Sequence, residues 1–340
     1  MSITSKKVRW GLLSTANINK ALIGPLKAAD RSELVAVASR DQAKAQAYAT
    51  EHGIPKAYGS YEALLADDTI DAIYNPLPNL LHREWTVKAA DAGKHVLCEK
   101  PLVTTLADFE PIPAAVARNN VVIFEAFMYL HHPQTRTLLQ LVRAGKIGAL
   151  QQINSWFHFY LSPERATNIR LSAALHGGSL WDVGVYPNSL ALAVAAAAGV
   201  GDAPQAVWAN QISGESGVDV AMRAQLQFDR GVIAQISSGF RTPFREAAHV
   251  IGDQGSIYVA EPWKPGLQGK PSQMIFTDIQ GKTETITTPA IDPYLCEVQT
   301  MEAAILDSAE PVISLTQSHN FLRSVLAIYA SAASGEVVKL

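Results

Sequence analysis

The sequence predicts an α/β chain in two parts: a mostly parallel α/β domain over about the first 125 residues, then an α+β domain built on a mixed sheet. Three observations predict it. Strand-like and helix-like runs alternate through the first third, and five strand candidates follow one another between Ala206 and Val259. The chain also has 340 residues, 48% of them apolar and 17% charged, which is enough for two packed cores and excludes a disordered chain or a coiled coil.

The first part reads in order. Residues 8–13 form a strand, 18–29 a helix interrupted near Gly24-Pro25, and 33–38 a β-rich run. Residues 41–51 make an Ala- and Gln-rich helix that Gly53 ends. A short helix over 60–65 precedes an apolar strand over 70–75. Leu81, Trp85, Ala89 and Ala92 recur at helical spacing up to Gly93, and a strand over 95–98, a helix over 106–118 and a β-branched strand over 121–124 follow. Strands separated by helices of this length make βαβ units, whose ligands bind at the carboxyl ends of the strands.

After residue 125 the pattern changes. A helix over 133–144, closed by Gly145, leads into an alternating run over 150–161. Strands follow at 206–212, 221–228, 232–237, 249–251 and 256–259, joined by turns such as Asp229-Arg230-Gly231. Strands in such succession indicate an antiparallel or mixed sheet with one open face. Helices over 294–308 and 315–333 finish the chain, and they are expected to pack back toward the first domain. The expected boundary separates 1–125 from 126–340.

Charge and cysteine content narrow the class. Twenty-eight basic against 31 acidic side chains leave a net charge of −3, too weak a field for nucleic acid or an anionic membrane to be the main partner. Two cysteines, Cys98 and Cys296, are too few for a disulfide framework and suggest a reducing compartment. The first seven residues lack the apolar run of a leader, and the greasiest stretch, 190–199, is half the length a bilayer needs. A soluble, cytoplasmic protein is expected.

The turn after the first strand carries the first chemical signal. It runs Gly11-Leu12-Leu13-Ser14-Thr15-Ala16-Asn17-Ile18-Asn19. A dinucleotide pyrophosphate needs small residues here, because it must approach the backbone at the start of the helix. Ser14, Ala16 and Asn19 stand where a G-x-G-x-x-G fingerprint has glycines. The small side chains still permit close approach, and the Ser14 and Thr15 hydroxyls can donate to phosphate oxygens; an ordinary capped strand–helix turn reads equally well. At the end of the second strand, Ser39 and Arg40 replace the acid that would bind a ribose 2′-hydroxyl. An arginine there suits a 2′-phosphate, so NADP(H) is preferred over NAD(H); the alternative is a solvated arginine at a helix start.

Four segments then occur in order: Asn75-Pro76-Leu77-Pro78-Asn79-Leu80-Leu81-His82, Gly93-Lys94-His95-Val96-Leu97-Cys98-Glu99-Lys100-Pro101, Glu125-Ala126-Phe127-Met128-Tyr129, and Gly177-Gly178-Ser179-Leu180-Trp181-Asp182-Val183-Gly184-Val185-Tyr186-Pro187. With the ending Leu326-Ala327-Ile328-Tyr329-Ala330-Ser331-Ala332, they resemble the glucose–fructose oxidoreductase/inositol dehydrogenase/rhizopine-catabolism (Gfo/Idh/MocA) family over essentially the whole chain. Within it the sequence resembles the branch of NADP-dependent xylose dehydrogenases and dihydrodiol dehydrogenases, which carry tyrosine at the position of Tyr186. The resemblance implies a Rossmann domain followed by a domain with a large open-faced mixed sheet, which often mediates dimerisation. It implies a cofactor site that includes Leu77, Pro78, Asn79, His82, Glu99 and Lys100, with Lys100 and Tyr186 at the nicotinamide. It also implies a homo-oligomer, dimer or tetramer. Leu130 stands where relatives commonly carry arginine.

The chemistry is that of hydride transfer. Oxidising an alcohol carbon requires a base at the hydroxyl and stabilisation of the developing alkoxide. A tyrosine with its usual pKa of ~10 needs a neighbouring cation to serve at neutral pH. Tyr186 is therefore assigned as acid/base, Lys100 as its cationic partner and a donor to substrate, and Asp182, four residues before Tyr186 on a helical face, as acceptor from a substrate hydroxyl. Each has a plain alternative: a packed phenol, a surface lysine, a helix-start acid. Pro187 marks a junction between a short turn and a longer helix. Arg170 resembles an arginine of this branch that faces the site, and a structural salt bridge is the other reading. His131 and His132 point apart and lack an acidic partner, so no metal is expected. Cys98 reads as a small core residue. The expected function is an NADP-dependent dehydrogenase or keto-sugar reductase acting on a sugar or small polyol. The competing readings are a dihydrodiol or cyclitol dehydrogenase, a cofactor-binding regulator without turnover, and a glycosidase-like use of transient oxidation.

Overall fold

A computed structural model describes residues 7–162, 164, 168–267 and 269–340. Residues 1–6 lie outside these, so the reading of the N-terminus rests on sequence. The chain divides into two compact units, one running to His131 and resuming over Asp292–Leu315, the other comprising His132–Ile291 and Thr316–Leu340.

In the first unit the elements are β1 (Val8–Leu12), α1 (Asn19–Ala28), β2 (Ser32–Ala38), α2 (Gln42–His52), β3 (Lys56–Tyr58), α3 (Tyr61–Leu65), β4 (Ala72–Asn75), α4 (Asn79–Asp91), β5 (His95–Glu99), α5 (Leu106–Phe109), α6 (Pro111–Asn119), β6 (Ile123–Ala126) and α7 (Met128–His131). All six strands run parallel in the order β3-β2-β1-β4-β5-β6. The order reverses between β1 and β4, which opens the ligand crevice of a doubly wound sheet at the carboxyl ends of those two strands. Local chemistry explains most boundaries. The Asp41 side chain accepts from the Ala43 and Lys44 amides to start α2, and Gly53 ends it at φ 61°. Two expectations change. The helix over 18–29 is not interrupted, because burial of Leu22, Ile23 and Leu26 holds α1 through Pro25. The helix over 106–118 is instead two, because Pro111 fits the first position of a new helix better than the interior of an old one.

The second unit contains α8 (Pro133–Arg143), β7 (Leu150–Tyr160), α9 (Val185–Ala197), β8 (Ala206–Ser213), β9 (Asp219–Gln227), β10 (Ile233–Gly239), β11 (Arg241–Gly252), β12 (Gly255–Val259), β13 (Ser272–Asp278) and β14 (Thr283–Thr288). The chain then supplies α10 (Pro293–Asp307) to the first unit and returns with α11 (Leu315–Ser334) and β15 (Val338–Lys339). The nine-stranded sheet has the order β14-β13-β12-β11-β7-β10-β9-β8-β15, with β10 and β7 parallel and every other pair antiparallel. Strands β13 and β14 are not expected from sequence: β14 is Thr-rich and mostly solvated, and of the two strands only Ser272, Met274, Phe276 and Thr288 turn inward.

Helix α9 is buried on every side and packs on β7 and β10. The other face of the sheet is open. Registers place Ile275, Tyr258, His249, Asn154, Gln235, Gln225 and Trp208 in one row across seven strands, with Ile275, Tyr258 and Trp208 exposed. No helix of the described residues is long and apolar enough to cross a membrane.

Candidate active site

The predicted cofactor residues lie in the first unit. The turn after β1 replaces its missing glycines with side chains that brace one another. The Ser14 hydroxyl accepts from the Ala16 amide at 3.2 Å, and the buried Asn19 donates from Nδ2 to the Ser14 carbonyl at 2.6 Å. Helix α1 then opens without a side-chain cap, as an anion-binding helix start requires. Thr15, Ala16 and Ile18 are half-buried and Asn17 is exposed. Gly11 serves packing: a Cβ there would lie 3.0 Å from a Leu64 methyl and 3.3 Å from one of Ile73. At the end of β2, Ser39 is buried and its hydroxyl accepts from the Asp41 amide at 3.3 Å. The Asp41 carboxylate is engaged in capping α2, which leaves Arg40, exposed beside Tyr61, as the charge presented at this strand end. An uncapped helix start, a small-residue turn and a cation in place of an acid fit a dinucleotide with a 2′-phosphate.

The ends of β4 and β5 are tied together. The fully buried Asn75 donates to Thr86 Oγ1 at 3.1 Å and to the His82 carbonyl at 3.3 Å, and it accepts from the Leu77 amide at 3.4 Å. Pro78 then leads into α4 at Asn79. His82 is buried with Nδ1 2.7 Å from the Pro101 carbonyl oxygen and Nε2 2.6 Å from that of Leu77, so its ring links the two strand ends. Burial lowers its pKa, the two carbonyls oppose that, and Lys100 lowers it further. The Lys100–Pro101 bond is cis, and Glu125 accepts from the Leu102 amide at 2.9 Å. Tyr74 donates to Glu99 Oε1 at 2.6 Å; burial and the charge of Glu99 hold its phenol well above the usual range. Glu297 on α10 is fully buried, and burial together with Glu99 raises its carboxyl far above the usual range. Sequence reading misses Tyr74 and Glu297, and it places Asn75 and Glu125 in family segments without assigning them a role. An acid inside the apolar run 121–127 is the signal for Glu125.

The second unit carries Arg170, Asp182 and Tyr186. The glycine pair before them is required by close approach. A Cβ on Gly177 would fall 2.5 Å from the Arg170 carbonyl oxygen, and one on Gly178, at φ 126°, would fall 2.2 Å from Asp219 Oδ1. The helical face expected to carry Asp182 and Tyr186 begins as a π-helical turn over Leu180–Gly184, a form frequent at functional sites, and continues as α9. The junction therefore precedes Tyr186, and Pro187 falls in the first turn of α9. Arg170 Nε donates to Asp182 Oδ2 at 2.6 Å, so the two predicted substrate residues are an ion pair, Asp182 half-buried and Arg170 exposed. The Tyr186 ring, only 7% exposed, lies 5.6 Å from Phe157 and 5.8 Å from Trp263, an aromatic wall beside its phenol.

The remaining candidates have structural occupations. His131 Nδ1 lies 2.5 Å from Thr300 Oγ1, and its ring stacks on Phe124. His132 accepts the Gln134 amide at 3.0 Å and so caps α8. Among the described residues no group of three or more His, Cys, Asp or Glu side chains is placed to hold a metal ion. Cys98 is fully buried, and burial pushes its thiol far above the usual range.

Comparison with known proteins decides the family. The profile of an oxidoreductase family with an NAD-binding Rossmann fold matches residues 8–127, and that of the GFO/IDH/MocA C-terminal domain matches residues 135–258. The chain belongs to the GFO/IDH/MocA oxidoreductase family. Among relatives of this GFO/IDH/MocA protein, D-xylose 1-dehydrogenase (NADP(+)) 2 of Haloferax volcanii is 38% identical over 332 residues, 97% of this chain and 99% of its own. Trans-1,2-dihydrobenzene-1,2-diol dehydrogenase of Xenopus tropicalis is 32% identical over 263 residues, 76% of this chain and 77% of its own. In structure, a 3-ketoreductase of Actinomadura kijaniata in complex with NADP and TDP-benzene superposes with a TM-score of 0.83 at 29% identity, covering 96% of this chain and 98% of that one.

Proposed function

We propose that the protein is an NADP-dependent dehydrogenase or reductase acting on a CH–OH carbon of a sugar or small polyol. The single observation that carries this is the π-helical turn that leads into Tyr186 at the start of α9, with Asp182 on that turn held by Arg170 and the Tyr186 ring packed by Phe157 and Trp263. The nicotinamide, when bound, takes up or delivers the hydride. Tyr186 removes the hydroxyl proton during oxidation and returns it during reduction. Lys100 supplies the ammonium that favours the phenolate and stabilises the developing alkoxide. Asp182 accepts from a second substrate hydroxyl and Arg170 holds that carboxylate in place. Phe157 and the fully buried Trp263 pack against the Tyr186 ring and fix its orientation.

The unit with the parallel sheet is read as the dinucleotide domain, and Arg40 supports NADP over NAD. The unit with the nine-stranded sheet is read as the substrate domain and, through the open row from Ile275 to Trp208, as the contact for a second copy. The two buried cysteines suit a cytoplasmic setting.

The test is steady-state turnover across aldoses, ketoses, cyclitols and aromatic dihydrodiols with both cofactors. Tyr186→Phe and Lys100→Met are each expected to lower kcat by about 10²-fold or more, with NADPH affinity nearly unchanged. Wild-type rates in both variants overturn the reading.

A further inference from the structure

The turn that carries Asp182 and Tyr186 does not hold itself. It begins at Ser179, which is fully buried, and no cap from its own sequence secures it. The securing group comes from β9, 40 residues on. Asp219 opens that strand with its carboxylate 2% exposed, and three donors from two other elements converge on it. Oδ2 accepts from the Ser179 hydroxyl at 2.7 Å and from the Leu180 amide at 2.8 Å. Oδ1 accepts from the Tyr329 hydroxyl of α11 at 2.7 Å. Ser179 Oγ also lies 3.1 Å from Ser238 Oγ on β10, and the Tyr329 ring packs 5.5 Å from Trp181.

A carboxylate at the amino end of a helical turn is favoured by the backbone dipole and satisfies donors the turn itself leaves over. Burying a carboxylate this deeply is costly unless its lone pairs are filled. Here three donors fill them, and the absence of a side chain on Gly178 is what lets Asp219 approach. Burial raises its pKa, and the hydrogen bonds from Ser179, Tyr329, the Leu180 amide and its own amide work against that rise. The arrangement also accounts for the hydroxyl of Tyr329, whose ring packs on Trp181 of the same turn.

We propose that Asp219 is a positioning residue: its carboxylate clamps the first turn of the 179–186 segment so that Asp182 and Tyr186 are presented together to substrate, with Tyr329 completing the clamp from α11. This rests on the roles proposed above for Asp182 and Tyr186. The clamp makes a split prediction. Asparagine at position 219 keeps one oxygen to accept from Ser179 and Leu180, and its amide can donate to the Tyr329 oxygen, which accepts as readily as it donates. Alanine keeps neither.

The experiment compares Asp219→Asn, Asp219→Ala and Tyr186→Phe with the unaltered protein, reading kcat and KM for substrate and the dissociation constant of NADPH by fluorescence. Asp219→Asn is expected within about fivefold of the unaltered kcat, because its donors stay matched. Asp219→Ala is expected to lose about 10²-fold in kcat, the cost of misplacing a reacting group by about an ångström, with NADPH affinity held within twofold. Equal kcat in Asp219→Ala and the unaltered enzyme overturns the clamp, as does a loss equally severe in Asp219→Asn. If Tyr186→Phe retains full activity, the underlying assignment fails instead, and the two failures are told apart. If Asp219→Ala does not fold, Ser179→Ala decides: it leaves Asp219 two donors, and a fall in kcat of about three- to tenfold supports the clamp while an unchanged kcat overturns it.

Discussion

Glu246 offers a prediction whose sign and size both follow from its surroundings. It lies on β11 directly opposite Phe157 of β7, on the sheet face that bears the aromatic neighbours of Tyr186. Burial, reinforced by the nearby Glu261 carboxylate and only partly offset by Lys264, raises its carboxyl from 4.5 to about 7. In the unfolded chain the same group titrates near its ordinary value. Between those two pH values the folded protein therefore holds a proton that the unfolded chain has released, and stability falls as pH rises. The slope is ~1.4 kcal/mol per pH unit, so the rise from 4.5 to about 7 caps the loss at about 3 kcal/mol. Partial solvation of the side chain reduces the expected figure to about 1–2 kcal/mol. Above pH 7 the penalty is complete and constant.

The perturbation is Glu246→Gln, which keeps the shape of the protonated acid and never ionises. At pH 5 the variant and the unaltered protein are expected to agree within about 0.5 kcal/mol, and at pH 8.5 the variant is expected to be more stable by about 1–2 kcal/mol. Urea unfolding at fixed ionic strength, followed by tryptophan fluorescence at several pH values, measures the gap. Thermal midpoints give a second readout, at roughly 2–4 °C per kcal/mol for a unit of this size. A gap that does not change with pH would show that Glu246 titrates at the same pH in both states. A variant less stable at pH 8.5 would show that the ionised form is held by a favourable partner. Either result refutes the reasoning.

Two further outcomes are expected. Arg40→Ala should weaken NADP binding by about 10- to 100-fold while changing NAD binding little, since only the 2′-phosphate loses its charge-assisted bonds; equal weakening of both, measured by fluorescence titration, removes the specificity assignment. Ser32→Ala should lower stability by about 2–3 kcal/mol, because the buried hydroxyl accepts from Trp10 Nε1 at 2.9 Å and donates to Glu302 Oε1 at 2.6 Å, and its loss strands both; an unchanged urea midpoint would count against this.

What could be read from the sequence divides by how local the cause is. Helix α2 was legible because its cap, Asp41, and its terminator, Gly53, are adjacent to it in the chain. The family was legible in the segments around Glu99-Lys100-Pro101 and Asp182 to Tyr186 because each is nearly contiguous and its residue types are unusual together. The hairpin of β13 and β14 was not, since the solvated, Thr-rich β14 has little apolar alternation to detect and owes its existence to pairing with β13, which in turn pairs with β12. The glycine-poor turn after β1 was only half legible. Its small residues were visible, but that Ser14 and Asn19 brace each other depends on a rotamer and a buried amide. His82 shows the same limit from the other side: the sequence places it in a motif, whereas its ring nitrogens face carbonyls 5 and 19 residues away. Asp219 is the extreme case. A lone acid at the head of a strand has a favourable default in water, and it becomes buried only because donors 40 and 110 residues distant arrive at the same point. Long-range polar closure is therefore the part of a site that composition and periodicity register least. It is also the part on which the geometry of a legible motif depends, because Asp182 and Tyr186 can share one turn in sequence and still be useless unless something outside that turn sets its direction.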